Sequence, residues 1–389
     1  MQVRWPKPEW PAVIGATVED GHSGDGRRVV AHVDTHSADV VVIGAGQAGL
    51  SAGYHLHRTG FAPGGGFVIL DADNGPGGAW QHRWPTLVFD RVHGFHDLPG
   101  LPLPPTEPHR PASEQVAAYF AAYERAFDLP VRRPVRVRGV HSRPDGRLDV
   151  HTDRGTWTAR ALINATGTWT RPFWPHYPGR STFRGRQLHT ADYRGPVEFT
   201  GLRVVVVGGG TSAVQLLGEV STVAAATTWV TRRPPTFNDE EFGPELGRAA
   251  VARVDQAVRS GRPPGSVVGV TGLPVTPEVR RLRERGVLDR LPMFDRITPD
   301  GVAWTDGRFV PADVILWCTG FRAAIDHLAP LGLRAPGGGI TMDGTRVVAD
   351  SRVHLVGYGP SASTIGANRA GRAAVNEIRA WLAPAAALH

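Results

Sequence analysis

Apolar residues fall along this chain in short β-branched runs, each followed by a glycine-rich turn and a stretch of helical spacing. Asp39-Val40-Val41-Val42-Ile43 has the make-up of a strand buried on both faces, and it leads through a turn at 44–49 into a helix ending at Arg58. Phe67-Val68-Ile69-Leu70-Asp71 is a second strand, closed by an acid. The cycle recurs with a strand at 202–207, a turn at 208–213, a helix over 214–220 and a strand at 227–231. Two further apolar runs, 161–167 and 313–320, both end in Thr-Gly. Residues 286–309 hold turns and short strands, and 352–356 is a strand followed by Gly357-Tyr358-Gly359-Pro360 and a helix over about 366–381. Strands alternating with helices predict an α/β architecture. Residues 1–37, with two Trp-Pro pairs and little periodicity, are expected to form a poorly ordered N-terminal extension. A valine codon can serve as a start, and Val33 stands a few residues before the first strand, so residues 1–32 are expected to lie outside the working protein.

The turn at 44–49 reads Gly44-Ala45-Gly46-Gln47-Ala48-Gly49, with Asp71 22 residues beyond its last glycine. Strand, Gly-x-Gly-x-x-Gly, helix, strand and acid together form the dinucleotide-binding fingerprint in its required context. Gly44 permits the tight turn, Gly46 lets the backbone approach a pyrophosphate, and Gly49 lets the helix pack on the sheet. The helix N-terminus offers free N–H groups and the positive end of its dipole to phosphate. Asp71 is placed to accept hydrogen bonds from ribose hydroxyls.

Gly208-Gly209-Gly210-Thr211-Ser212-Ala213 repeats the device 164 residues later, with Ala213 small enough to replace the third glycine. Two such sites mean two dinucleotides. The second strand of this repeat ends not in an acid but in Arg232 and Arg233. Guanidinium groups match a 2′-phosphate through charge-assisted bonds, each worth roughly 1.5–3 kcal/mol, which predicts about a ten- to hundredfold preference for NADPH over NADH.

Composition narrows the classes. A chain of 389 residues, 41% hydrophobic and 20% charged, is a soluble globular protein of about two domains. Its net charge of +7 comes from 43 basic and 36 acidic residues, yet Lys7 is the only lysine, and the arginines are scattered among acids rather than gathered in a patch. Nucleic acid is therefore not an expected partner. The densest basic run, 280–285, reads as a solvated helix face. No stretch approaches the ~20 apolar residues of a membrane span, and no signal pattern opens the chain, so a cytoplasmic location is expected. Cys318, alone, forms neither an intrachain disulfide nor a redox pair, and the 16 histidines build no metal cluster.

Phe183-Arg184-Gly185-Arg186-Gln187-Leu188-His189-Thr190-Ala191-Asp192-Tyr193, just before the second glycine turn, fits the pattern Phe-x-Gly-x-x-x-His-x-x-x-Tyr/Phe at every fixed position. With the two glycine turns it resembles the flavin-containing monooxygenases, over roughly residues 38–384. The resemblance implies two nested Rossmann-like domains, an FAD domain interrupted by an NADPH domain, and an FAD- and NADPH-dependent oxidoreductase. Hydride from NADPH would reduce FAD, and O2 would give a C4a-hydroperoxyflavin that oxygenates a nucleophilic nitrogen or sulfur of a small molecule. Related Baeyer–Villiger enzymes usually end the motif in tryptophan, so Tyr193 favours heteroatom oxygenation over ketone oxygenation. Small-molecule substrate and O2 are the implied partners, with no membrane, and a homodimer is left open.

Residue by residue, the resemblance places FAD on Gly44, Gly46, Gln47, Ala48, Gly49 and Asp71, on Gly78, Trp80 and Gln81 of Gly-Gly-x-Trp and its neighbour, and on Thr166, Gly167 and Gly320 of the Thr-Gly segments. Gly357, Thr364 and Ile365 complete that set. NADP falls on Gly208, Gly209, Gly210, Thr211, Ser212, Ala213, Arg232 and Arg233, with Thr319. Chemistry centred on the flavin needs no catalytic side chain, and His189 reads as a structural residue of the linker. The chain departs from the family in using Asp71 for glutamate, in following Gly357 with Tyr358 rather than aspartate, and in having no asparagine over 81–96. The last departure leaves an NADPH oxidase or reductase, passing electrons without oxygen insertion, as the alternative. The expected division is an extension at 1–37, FAD-binding segments at 38–170 and 311–389, and an NADPH-binding segment at 171–310; residues 237–293 are expected to shape substrate access.

Overall fold

The apolar run at 39–43 is the end of a longer strand, Thr35–Ile43. In the computed structural model, which describes residues 34–92, 94–238, 244–265 and 272–383, Thr35–Ala38 pair in parallel with Thr156–Ala159, and His36 stacks on Trp157 at 4.6 Å. Residues 34–37 thus belong to the fold rather than to an extension. Their local composition is polar, and their strand state comes from backbone pairing with a distant segment. Residues 1–33, with Val33, lie outside the described residues.

Thr35–Ile43 occupies the middle of a nine-stranded sheet. Phe67–Leu70 and Gly155–Asn164 flank it in parallel, and Asp350–Leu355 extends the sheet beyond Gly155–Asn164. The second sheet has five parallel strands in the order Arg290–Pro292, Ala226–Thr231, Arg203–Val207, Val314–Trp317, Arg186–His189. Strands of the first sheet come from before residue 165 and after residue 341, so one sheet is interrupted by the other. Val314–Trp317 lies between Arg203–Val207 and Arg186–His189. The expected boundary at 310/311 therefore falls one strand early, because this apolar run finds both its neighbours in the second sheet.

Alternation along each central strand supplies two cores. Val40 and Val42 face one side of the first sheet and Val41 and Ile43 the other; Val204 and Val206 oppose Val205 and Val207 in the second. Each such valine, fully buried, contributes roughly 1.5–3 kcal/mol. Helices Gln47–Arg58 and Thr364–Leu382 cover one face of the first sheet and approach so closely that a Cβ on Gly371 would stand 2.9 Å from the Ala52 nitrogen. Trp84, Leu87 and Ala112, from the first part of the chain, are buried in the core beside the second sheet. No helix among the described residues is long and apolar enough to cross a membrane.

Candidate functional site

Both glycine turns leave their strand in the same way. Gly44 has φ of +99°, and a Cβ there would lie 2.7 Å from the Ala165 carbonyl oxygen; Gly208 has φ of +143°, and its Cβ would lie 2.2 Å from the Cys318 carbonyl oxygen. The fold itself requires these two glycines. Gly46 and Gly210 are different. Their φ values, −83° and −101°, suit any residue, a Cβ on Gly46 would meet nothing nearer than 3.8 Å, and one on Gly210 would meet nothing within 4 Å. Protein packing does not explain their lack of a side chain, whereas a ligand that had to touch the backbone would.

These same residues cap helices Gln47–Arg58 and Thr211–Val220 without any side-chain hydrogen bond, and neither helix has an acid in its first turn. Apart from the Ala213 N–H, which donates to the Gly210 carbonyl at 3.0 Å, the first N–H groups have no partner within their helix and suit an anion. Helix Thr364–Leu382 also lacks an early acid, although Ser363 caps it by accepting from the Gly366 N–H at 3.1 Å.

Several predicted FAD residues converge on the first turn. A Cβ on Gly78 would come 2.7 Å from Gly46 Cα, and one on Gly357 would come 3.2 Å from the Ala48 side chain. Gln47 Nε2 donates to Asn368 Oδ1 at 2.9 Å and to the His96 carbonyl at 3.1 Å, while its Oε1 is buried with no partner among the described residues. Thr364 Oγ1 donates to the Gly94 carbonyl and accepts from the His96 N–H, joining segment 94–96 to the helix that begins there. Ile365 follows in the same first turn.

Other predicted residues are already engaged with protein. The Asp71 carboxylate receives Arg133 Nε at 2.7 Å, and Arg133 forms a second, two-pronged bond to Glu124. Burial works against the charge on Arg133, and the two carboxylates more than offset it, raising its pKa. Gln81 Nε2 donates to Asp73 and to the Gly75 carbonyl, and Thr166 Oγ1 to the Ala324 carbonyl. Trp80 packs edge-on against Phe95. Around the second turn, Gly209 sits against Pro235, and Ala213 is fully buried, with the Gly208 carbonyl accepting from Trp229 Nε1 at 2.7 Å. Thr211 and Ser212 begin the helix. Arg232 and Arg233 are exposed past the end of Ala226–Thr231 and form no ion pair with any described residue.

The two Thr-Gly segments cross beneath these turns. Thr319 Oγ1 donates to the Phe173 carbonyl, the Phe173 N–H donates to the Gly320 carbonyl at 2.9 Å, and the Ala324 N–H donates to the Gly167 carbonyl at 2.9 Å. His189 is buried against them. Its Nδ1 accepts from the Ala191 N–H and its Nε2 donates to the Gly320 carbonyl at 3.0 Å, which fixes the neutral tautomer, and burial lowers its pKa.

Three features escape sequence reading. Arg83 lies 4.7 Å from the Trp169 ring and 5.7 Å from that of Trp80, without an acidic partner among the described residues, and burial lowers its pKa to about 10. Glu219 accepts from Thr86 and Tyr193, residues far apart in sequence. A groove of about 280 Å³, lined by Thr211, Val214, Leu273, Pro277 and Leu282, adjoins the second turn's helix. Only spatial neighbours reveal them. His93 and residues 239–243 and 266–271 lie outside the described residues.

Residues 41–270 match the family described as pyridine nucleotide-disulphide oxidoreductase. A flavin-containing monooxygenase from Stenotrophomonas maltophilia is 42% identical, with a TM-score of 0.75 over 90% of this chain and 100% of that one. A double mutant of a flavin monooxygenase from the same organism gives 43% and 0.76 over the same shares. An uncharacterized, CzcO-like oxidoreductase from Geobacillus kaustophilus (strain HTA426) is 27% identical over 289 residues, 74% of this chain and 81% of its own length.

Proposed function

The chain belongs to the pyridine nucleotide-disulphide oxidoreductase family and, within it, to the flavin-containing monooxygenases, and from that premise we propose that FAD lies on the turn at 44–49 and NADPH on the turn at 208–213. It is an FAD- and NADPH-dependent monooxygenase. The chemistry the bound flavin supplies is activation of O2 with electrons from NADPH and transfer of one oxygen atom to a small-molecule substrate. Dithiol chemistry has no second thiol here, since Cys318 is the single cysteine and burial raises its thiol pKa to about 12.

The observation that carries the assignment is the pair Gly46 and Gly210, whose missing side chains answer to no protein neighbour. Gly46 and the free N–H groups of Gln47, Ala48 and Gly49 would hold the FAD diphosphate, and Asp71, steadied by Arg133, would accept from ribose. Gly78 and Gly357 approach the same turn, and Trp80, Gln81, Thr166, Gly167, Gly320, Thr364 and Ile365 would complete the flavin site. Arg83, a cation without an acidic partner among the described residues, would complement phosphate charge. Gly208, Gly209, Gly210, Thr211, Ser212 and Ala213 would carry the second diphosphate, Thr319 would bound it, and Arg232 and Arg233 would hold the 2′-phosphate.

We assign the flavin part to residues 34–170 and those from 319 onward, and the nicotinamide part to 171–318. A nucleophilic nitrogen or sulfur is the atom oxygenated, a reading supported by Tyr193 in the fingerprint. The groove walled by residues 273–282 offers a path for substrate, and the cytoplasm is the compartment that suits NADPH supply. The test counts products against NADPH consumed, with a thioether and a tertiary amine as probes. Sulfoxide or N-oxide should account for most of the NADPH; hydrogen peroxide equal to NADPH with neither oxide formed would establish the oxidase alternative instead.

A further inference from the structure

The segment after Gly-Gly-x-Trp belongs by sequence to the flavin part, yet it is planted in the other half of the molecule. Trp84 and Leu87 are buried in the core that contains Val204, Val206, Leu216 and Leu217, and the Trp84 ring meets Tyr193 edge-on at 6.0 Å. Between these two anchors, Thr86 Oγ1 donates to Glu219 Oε2 at 2.5 Å, and the Tyr193 hydroxyl donates to the same oxygen at 2.8 Å. Arg91 Nη1 reaches the other oxygen, Oε1, at 3.5 Å, and the Arg91 carbonyl accepts from Gln215 Nε2 at 3.2 Å. The Glu219 side chain is 9% exposed and lies on helix Thr211–Val220, the helix that springs from the second glycine turn. Its carboxylate therefore gathers donors from the flavin-side segment and from the fingerprint linker onto the element that presents the second dinucleotide.

We propose that Glu219 is a positioning residue which, by accepting from Thr86 and Tyr193, pins segment 84–91 to helix Thr211–Val220 and so holds the two glycine turns at a fixed mutual angle. The inference rests on the assignment of the two dinucleotides above. Charge-assisted bonds from two hydroxyls to one buried carboxylate oxygen are directional and strong. The tyrosine that ends the fingerprint thereby acquires a positioning role, in which its hydroxyl orients Glu219 and its ring packs on Trp84 and Phe199. Transfer between two bound cofactors depends steeply on their separation and angle, so a loosened pin should slow transfer more than it weakens binding of either partner.

Anaerobic stopped-flow reduction of the FAD-loaded enzyme separates these quantities. In Glu219→Leu the limiting rate of flavin reduction at saturating NADPH should fall tenfold or more, while the apparent Kd for NADPH moves less than threefold and reduction by dithionite keeps its wild-type rate. Glu219→Gln keeps an oxygen that can accept from both hydroxyls, and should recover most of the loss. Thr86→Val removes one donor at the surface of the interface and should lower the limiting rate three- to tenfold, giving a second route should Glu219→Leu not fold. A wild-type limiting rate in Thr86→Val, or in a folded Glu219→Leu with merely a lower melting temperature, overturns the proposal. Failure of NADPH to reduce the wild-type flavin would instead remove the functional reading on which it stands.

Discussion

The backbone carbonyl of Cys318 stands against Gly208 so closely that a Cβ there would lie 2.2 Å from its oxygen, and the Cys318 N–H donates to the Val207 carbonyl at 2.8 Å. The turn and the strand end are thus locked face to face. Gly208→Ala must strain a φ of +143° and displace backbone at once, and it should cost about 3 kcal/mol of stability. Gly210→Ala, with open space and an ordinary φ, should melt within about 1 kcal/mol of wild type yet bind NADPH at least tenfold more weakly. Thermal melts paired with NADPH titrations check both halves. A Gly210→Ala protein with unchanged NADPH affinity would mean that no ligand approaches the backbone there.

Arg232 and Arg233 extend from the end of Ala226–Thr231 with no acidic partner among the described residues. A 2′-phosphate is the group that distinguishes the two nicotinamide dinucleotides, and the proposed function places it on these two guanidinium groups. Replacing both by alanine should raise the KM for NADPH by about ten- to hundredfold and leave that for NADH within about threefold. Steady-state kinetics with each coenzyme measures the ratio, and equal effects would detach these residues from phosphate recognition.

His189 tests whether the fingerprint histidine takes part in proton transfer. Both ring nitrogens are committed, to Ala191 N–H and Gly320 carbonyl, and burial lowers the ring's pKa. Its removal should therefore act on the crossing of the two linkers: His189→Ala takes away a buried ring packed against Trp174 and Phe321 and the acceptor of the Ala191 N–H, at about 2–4 kcal/mol, while the Gly320 carbonyl keeps the Phe173 N–H. The pH dependence of kcat in His189→Gln should keep the wild-type shape; a missing ionisation would reinstate it as an acid or base.

The strands and both glycine turns were legible in the sequence because they are set by local chemistry: β-branched runs at 40–43 and 204–207, and glycines where backbone must bend or be approached. What local composition cannot hold is the choice of partner. Thr35–Ala38 is polar and becomes strand through Thr156–Ala159, and Val314–Trp317 joins the second sheet through neighbours more than 100 residues away. Asp71 stands out in the sequence as the acid closing the second strand, but Arg133, 62 residues on, gives no sign there that it holds the Asp71 carboxylate. Glu219 had no signal at all, since helix Thr211–Val220 would accept a glutamate at that position for its solubility alone.

His354 lies in strand Asp350–Leu355 with 2% of its surface exposed; its Nδ1 is 3.0 Å from Thr345 Oγ1, and burial, with a smaller contribution from Arg346, lowers its pKa to about 4. Glu377 is 3.9 Å away, and Asp343 lies near that carboxyl, yet neither raises the ring's pKa above the effect of burial. In the unfolded chain the same ring takes up its proton near pH 6.5. Between about 6.5 and 4 the unfolded state therefore binds the extra proton, so the contribution is fully present above pH 6.5 and is lost as the pH falls to about 4. For this residue alone the loss is on the order of 3 kcal/mol. Melting temperatures measured from about pH 7.5 to 4.5 should fall steadily across that window, and His354→Asn, lower in stability at about pH 7.5, should show a visibly shallower fall. Parallel curves for the two proteins would show that His354 is not the group whose protonation opens the fold.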